Sequence, residues 1–158
     1  MNKFDKRKFI LCIIKISLFA LLILSMFLPQ FQLKDLNQKY NLLNLLSGEQ
    51  SDGYQIFEIS VPVVIDIVLA IGALICSIYL FVKKINKDFW YNVIFIVVGM
   101  FSFYVAIGKK SYVKFTILNN DMISQSILLW GSYFMSFISI AIILISFYDI
   151  LSNSKDNK

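Results

Sequence analysis

Residues 59–82, ISVPVVIDIVLAIGALICSIYLFV, decide the fold of this 158-residue chain. The stretch is apolar almost throughout, and its 24 residues exceed the roughly 20 that an α-helix needs to cross the hydrocarbon core of a bilayer. A membrane-spanning β-strand would instead alternate polar and apolar residues over about 10 positions. The stretch therefore predicts a transmembrane helix.

Three further stretches have the same character: residues 9–28, 89–107 and 127–151. The chain is 58% hydrophobic and only 16% charged, whereas soluble domains are about half apolar and about a quarter charged. A chain of this length has too little interior to bury so many apolar residues. We expect an all-α membrane protein, a single antiparallel four-helix transmembrane bundle joined by loops 29–58, 83–88 and 108–126 and followed by a tail at 152–158.

Lysine and arginine residues lie mainly beside the apolar stretches. The N-terminal segment, the 83–88 connection and the tail carry four, three and two of them, nine in all, whereas the 29–58 and 108–126 loops carry five. The side that is richer in Lys and Arg usually stays in the cytoplasm. We therefore expect both ends of the chain in the cytoplasm and the two long loops outside.

The first stretch could instead be a cleaved signal peptide, since the basic start MNKFDKRK precedes it. Lys15 interrupts its apolar run, and no small-x-small cleavage site precedes Pro29. We expect a retained helix and keep the signal peptide as the alternative.

Asp66 is an acidic residue about 10 Å inside the predicted second helix, at roughly 1.5 Å of rise per residue. A carboxyl at that depth normally faces a bundle interior or a wet cavity. Ala70, Ala73 and Ser77 follow on the same helix face, and small residues let a neighbouring helix approach closely. The stripe therefore predicts a face that packs against protein.

Candidate partners of Asp66 follow from depth alone. Ser102 on the third helix and Tyr133 and Ser136 on the fourth are at its level, and the fourth helix has its own stripe of small residues, Ser132, Ser136 and Ser139. Asp66 could form an ion or proton site, or it could hold the helices in register as a protonated or hydrogen-bonded group. We favour the structural role, because no second ionisable group lies at that level.

Lys15 is the second charged residue within an apolar stretch. It lies about 9 Å from the cytoplasmic boundary and about 11 Å from the level of Asp66, given a hydrocarbon core of roughly 30 Å. Its side chain can extend towards the cytoplasmic interface, where Asp149 is a possible partner and Asn92 lies at a similar level. We interpret Lys15 as a residue that sets helix register or topology.

The two long loops allow short secondary structure. Apolar residues recur at helical spacing in the first one: Leu33, Leu36, Tyr40, Leu43 and Leu46. They predict an amphipathic helix that stops near Ser47-Gly48 and lies on the membrane, caps the bundle, or alternatively binds a partner. In the second loop, residues 111–118 partly alternate and favour a strand, with Phe31 and Leu33 as the start of a partner strand in a small extracellular β element.

Several classes of function find no support in the sequence. The chain has no histidine, and Cys12 and Cys76 lie far apart within apolar stretches, so we expect no metal site, no cofactor and no catalytic residues. The acidic residues of the first loop, Asp35, Glu49, Asp52 and Glu58, are scattered. The lysines flank apolar stretches rather than form a separate basic domain, so we expect no nucleic-acid partner.

Short motifs along the chain are similar to those of a known group. They are Phe27-Leu28-Pro29 at the end of the first stretch, NLLNLLSG at 41–48, SDGY at 51–54, the short Lys-rich connection KKINKD at 83–88, and WGSY at 130–133. The chain resembles a loose group of small four-helix membrane proteins of low-GC Gram-positive bacteria, mostly of unknown function. The resemblance covers the whole chain, implies a multi-pass protein of the bacterial plasma membrane, and transfers no site residues.

These features favour a non-enzymatic accessory or interaction subunit that acts through helix packing and extracellular loops. Its partners would be the lipid bilayer and another membrane protein. One alternative is an immunity protein that neutralises a membrane-active toxin or bacteriocin. The other is a small transporter or channel component in which Asp66 titrates or binds a cation. The sequence leaves the oligomeric state open.

Overall fold

The computed structural model describes residues 6–32, 39–47, 50–51, 54–55, 58–85, 89–108 and 127–156. The helices within these ranges are α1 (Lys6–Ser25), α2 (Asn44–Ser47), α3 (Val61–Lys83), α4 (Phe89–Ile107) and α5 (Trp130–Asp156). In this part of the chain, four of them, α1, α3, α4 and α5, are long and apolar enough to cross a membrane. The predicted set of long apolar helices is therefore present.

Short strands join the helices: β1 (Phe31–Gln32), β2 (Lys39–Tyr40), β3 (Gln50–Ser51), β4 (Tyr54–Gln55) and β5 (Ile127–Leu128). The first sheet has the order β2-β1-β5, and both pairs are antiparallel. Phe31 lies opposite Tyr40 on one side and opposite Leu128 on the other. Strands β3 and β4 form a separate antiparallel ladder, in which Ser51 lies opposite Tyr54.

The four long helices form an antiparallel bundle with two distinct ends. At the strand end, the sheet connects the end of α1 to the start of α5, and the Ser60 N–H before α3 donates to the Leu45 carbonyl at 3.0 Å. At the terminal end, Lys8 near the start of α1 contacts Asp149 near the end of α5. Around the bundle, α1 packs on α3, α3 on α4, α4 on α5, and α5 on α1.

Local conformation and hydrogen bonding explain where helix α3 begins and ends. Pro62 lies in its first turn, where the missing N–H of proline costs nothing. At its other end Lys84 adopts a left-handed conformation with φ 52°, and the Ile85 N–H donates to the Leu80 carbonyl at 3.1 Å. This pattern satisfies the last carbonyls of the helix, so the chain can turn directly towards α4.

The start of α5 differs from the predicted fourth span. The sequence predicts helix from residue 127, but Ile127 and Leu128 form β5 and the helix begins at Trp130. The reason is tertiary pairing, since Leu129 donates to Gln30 and Gly131 donates to Pro29. At the other end α5 continues to Asp156, into the segment predicted as a tail.

The prediction of an amphipathic helix in the first loop is wrong for those residues of the loop that the structure describes. Tyr40 lies in β2. Among the described residues of this loop the only helix is the single turn α2, which contains Leu46 but neither Tyr40 nor Leu43. Tyr40 instead stacks on Phe31 with ring centroids 5.5 Å apart, and both rings are buried. Burial of this aromatic pair favours the strand pairing over a helix. Leu33 and Leu36 lie outside the described residues.

The predicted small β element is present with different strands. Phe31 does begin a strand, but its partners are Lys39–Tyr40 and Ile127–Leu128. The predicted strand at 111–118 lies outside the described residues. The pairing of β1 with β5 ties the first and last long helices together at the strand end.

The centre of the bundle is an apolar layer between the two ends. Phe19 of α1 and Phe95 of α4 meet edge to face across the bundle, with centroids 5.0 Å apart, and Val98 and Ile142 are buried beside them in the same core. At Gly99 the α4 backbone closely approaches α5, because an added Cβ would lie 3.0 Å from the Ser139 carbonyl oxygen and 2.8 Å from Ile143 Cγ1. Such a contact leaves little room for a larger side chain.

Candidate functional site

A buried ionic cluster lies at the terminal end of the bundle and joins three helices. Asp149 of α5 accepts hydrogen bonds from the ammonium groups of Lys8 and Lys15, both on α1, and the Lys8 bond is 2.6 Å long. The two lysines are only 3% and 2% exposed, and Asp149 is fully buried. We call Lys8, Lys15, Asn92 and Asp149 the terminal cluster.

Asn92 of α4 completes the terminal cluster. Its side-chain oxygen accepts from Lys15 at 2.5 Å, and its amide nitrogen donates to Asp149 Oδ2 at 3.2 Å. An asparagine supplies both a donor and an acceptor, so it can bridge a cation and an anion at the same time. Each of α1, α4 and α5 is therefore held to the other two by a polar side chain.

The local sequence explains why one carboxylate receives two lysines. Lys8 and Lys15 are seven residues apart, which is close to two helical turns and places them on one face of α1. The Lys15 ammonium also lies 5.8 Å from the centroid of the Phe95 ring, within the range of a cation–π contact. The predicted partner of Lys15, Asp149, is thus in contact with it, and so is Asn92.

Lys8 is the member of the terminal cluster that the sequence does not reveal. It lies in the basic N-terminal segment, where lysines serve as topology signals, and its burial depends on the position of α5 relative to α1. A helical-wheel comparison with Lys15 is the one signal that could have found it. Burial of charges is costly unless each is paired and hydrogen-bonded, and the terminal cluster meets both conditions.

A second buried carboxyl lies nearer the strand end. Asp66 of α3 is fully buried, and its Oδ1 accepts a hydrogen bond from Ser102 of α4 at 2.6 Å. Its Oδ2 is also buried and has no hydrogen-bond partner among the residues that the structure describes. Asp66 and Ser102, the strand-end pair, therefore differ from the terminal cluster in having one polar atom left over.

The other candidate partners of Asp66 are placed elsewhere. Tyr133 is 63% exposed, so it lies on the outer face of α5 and the prediction that it accompanies Asp66 is wrong. Ser136 is buried, but its hydroxyl donates to the Ser132 carbonyl at 2.8 Å. The prediction for Tyr133 rests on depth alone. Depth gives the level of a residue along the bundle, whereas the orientation of α5 about its own axis decides the direction in which the residue faces.

The predicted packing stripes lie on buried faces. Ala70, Ala73 and Ser77 are buried on α3, and Ser132 and Ser139 are buried on α5. The Ser77 and Ser139 hydroxyls donate to carbonyls of their own helices, at 2.9 Å and 2.8 Å. Because these two bonds stay within one helix, Ser77 and Ser139 contribute close packing rather than polar links between helices.

Gln30 organises the strand end, a role that the sequence does not predict. It is fully buried; its N–H donates to the Tyr40 carbonyl at 2.7 Å and its side-chain nitrogen donates to the Ser25 carbonyl at 2.6 Å. Its carbonyl accepts from Ser132 Oγ at 2.6 Å. Its position directly after Pro29 is the only sequence signal, since a chain leaving a helix at a proline needs new hydrogen-bond partners.

Acidic residues do not gather into a metal centre in the described part of the chain, where no three or more His, Cys, Asp or Glu side chains lie together. Glu58 is exposed, while Asp35, Glu49 and Asp52 lie outside the described residues. The terminal cluster can hold three helices together. The buried carboxyl of the strand-end pair can hold a proton.

No family model, curated protein or solved structure matches this chain. The resemblance to small membrane proteins of Gram-positive bacteria therefore stays a prediction. The helices themselves indicate the class, because four of those described are long and apolar enough to span a bilayer. They point to a multi-pass membrane protein.

Proposed function

We propose that the protein is a non-enzymatic accessory subunit of a bacterial plasma membrane, which acts on another membrane protein through its helix surfaces and extracellular loops. The supporting observation is the terminal cluster, in which the buried Lys8, Lys15 and Asp149 bind one another. The buried hydrogen bonds of the terminal cluster fix the packing of α1, α4 and α5. The surfaces that remain for recognition are the outer helix faces and the strand end.

The outer helix faces are apolar and rich in large side chains. On α5 the exposed aromatic residues include Trp130, Tyr133, Phe137, Phe147 and Tyr148. Trp and Tyr near helix ends suit the membrane interface, whereas Phe137, 70% exposed, lies about two turns into the helix. A rigid bundle with such a surface can pack against a second membrane protein without a reaction of its own.

The orientation belongs to the same proposal. Nine Lys and Arg residues occur in the N-terminal segment, the 83–88 connection and the tail, and five occur in the two long loops. In the proposed orientation both termini therefore lie in the cytoplasm and the sheet lies outside. Reporter fusions after Lys84 and after Asn119 should report cytoplasmic and external locations, respectively. The reverse result would contradict the orientation.

Site-specific photo-crosslinking in the native host tests the partner. A photoreactive phenylalanine analogue at Phe137 should give a discrete adduct with one other membrane protein, because this side chain faces outward. The same analogue at Phe95, which is fully buried, is the matched control and should give no adduct. Adducts only with lipid or with the same chain, at Phe137 and at other exposed positions, would argue against an accessory subunit.

A further inference from the structure

Asp66 and Asp149, the buried carboxyls among the described residues, have different surroundings. Asp149 faces two lysine ammonium groups and the Asn92 amide, so its negative charge is balanced where it lies. Asp66 has a single neutral donor, Ser102, and its second oxygen has no hydrogen-bond partner among the described residues. A buried carboxylate without a counter-ion is so costly that the group takes up a proton instead.

We propose that Asp66 is a proton-binding site, which holds a proton on Oδ2 and exchanges it with the water at the strand end. In this state Oδ1 is the carbonyl oxygen that accepts from Ser102, and Oδ2 is the hydroxyl. The assignment keeps the hydrogen bond to Oδ1 that is present and leaves no negative charge on Oδ2, which has no donor among the described residues. It goes beyond the accessory function and does not depend on it.

The charged groups on the neighbouring helices support a neutral Asp66. Helix α4 contains no Lys, Arg, Asp or Glu. On α1 and α5 the charged residues closest in level are Lys15 and Asp149, which bind each other. Asn92 and Ser102 are ten residues apart on α4, so the terminal cluster and the strand-end pair are separated by about 15 Å along the helix axis. The tyrosine nearest on α4, Tyr104, is exposed.

The strand end is the nearer end of the bundle to the site. Asp66 is five residues from the start of α3, about 8 Å along its axis, and Ser60 at that start has a buried hydroxyl with no partner among the described residues. Ser60 and Asp66 lie on the same buried face as Val63. Towards the terminal end the buried face continues with Ala70, Ala73 and Ser77, and the Ser77 hydroxyl donates to the Ala73 carbonyl of its own helix. Among the described residues of this face, Ser60 is therefore the polar group that leads from Asp66 to the strand end.

Infrared spectroscopy of the protein in lipid nanodiscs, with carbon-13 in its aspartate carboxyls, tests the bound proton. At neutral pH the wild type should show the C=O stretch of a protonated carboxylic acid. The band should be absent from Asp66→Asn and present in Glu58→Gln, which removes an exposed acid. Absence of the band from the wild type would overturn the proposal, and so would its persistence in folded Asp66→Asn.

Ser102→Ala provides a second variant that keeps the carboxyl. Because it removes the hydrogen bond to Oδ1, the band should move to higher frequency. An unshifted band would mean that it belongs to another aspartate, and this result decides the question even if Asp66→Asn does not fold.

Transfer of the nanodiscs into D2O tests the exchange with water. The band should shift as deuterium replaces the proton, and Ser60→Ala should slow the shift. A band that does not respond while exposed groups exchange completely would disprove the exchange. An unchanged rate in Ser60→Ala would disprove the route through Ser60.

Discussion

The terminal cluster and the strand-end pair handle the same difficulty, a carboxyl inside an apolar bundle, in opposite ways. Asp149 is surrounded by donors from α1 and α4, whereas Asp66 has one donor from α4. In the first case the charge is kept and becomes a link between helices. In the second case the carboxyl is more stable when it is protonated and neutral. It then forms one weak hydrogen bond and can change its protonation state.

The terminal cluster and the strand-end pair should also contribute differently to the stability of the bundle. Breaking one member of the terminal cluster leaves other charges buried without a partner, and that penalty exceeds what the pair contributes when intact. The strand-end pair contains a single neutral hydrogen bond, and such bonds between membrane helices average only about 0.6 kcal/mol. We therefore expect stability to reside mainly at the terminal end.

The largest effect is expected from Asp149→Asn, which leaves Lys8 and Lys15 buried without their carboxylate. Removal of one partner from a buried ion pair costs about 3–5 kcal/mol. Unfolding by SDS in mixed micelles, followed by circular dichroism, measures the loss. Glu58→Gln is the matched control, since it removes the same charge from an exposed side chain and should change little. Equal stability of the two variants would contradict the role of the terminal cluster.

Lys15→Met should have a smaller effect of the same kind, because Asp149 keeps the hydrogen bonds from Lys8 and Asn92. We expect a loss of about 1–3 kcal/mol in the same unfolding measurement, against little change for Lys83→Met at an exposed position. Combined with Asp149→Asn, the loss should be smaller than the sum of the two single losses by about 0.5–3 kcal/mol. Strictly additive losses would show that Lys15 does not act through Asp149.

The sequence predicts the long helices and the levels of their polar residues, because both depend on helix length and rise alone. For this reason Phe89–Ile107 has the same bounds in the prediction and in the structure, and depth suffices to match Lys15 with Asp149. These properties are local to one helix. They require no knowledge of the neighbours.

The remaining details depend on contacts between distant segments. The strand at Ile127–Leu128 exists because of β1, nearly a hundred residues earlier, and the burial of Lys8 depends on α5. Tyr133 faces outward although its level is that of Asp66, because a helix that is apolar on most sides gives no signal for its rotation. The close approach at Gly99 is likewise invisible in a sequence where Gly72 looks equivalent.

Gly99→Ala tests whether the apolar layer between the two carboxyls is as tightly packed as its contacts imply. The added methyl group would meet the Ser139 carbonyl oxygen and the Ile143 side chain, and overpacking of this kind costs about 1–3 kcal/mol. Gly72→Ala is the control, since nothing lies within 4 Å of its added Cβ and alanine favours a helix by roughly 0.5–1 kcal/mol. If both substitutions change SDS unfolding in the same direction, the close contact at Gly99 is not required.

Asp66→Asn should have the smallest effect on stability, and this makes it the sharpest test of the comparison. The amide keeps an oxygen that can accept from Ser102 and adds no charge, so only the N–H group is left to find a partner. We expect a loss of about 1 kcal/mol or less, because hydrogen bonds between membrane helices average about 0.6 kcal/mol and reach at most about 1.7 kcal/mol. Asp149→Asn is the same chemical change at the other end of the bundle, measured by the same unfolding experiment. A loss for Asp66→Asn as large as for Asp149→Asn would mean that Asp66 is ionised and paired, and the two carboxyls would then be alike.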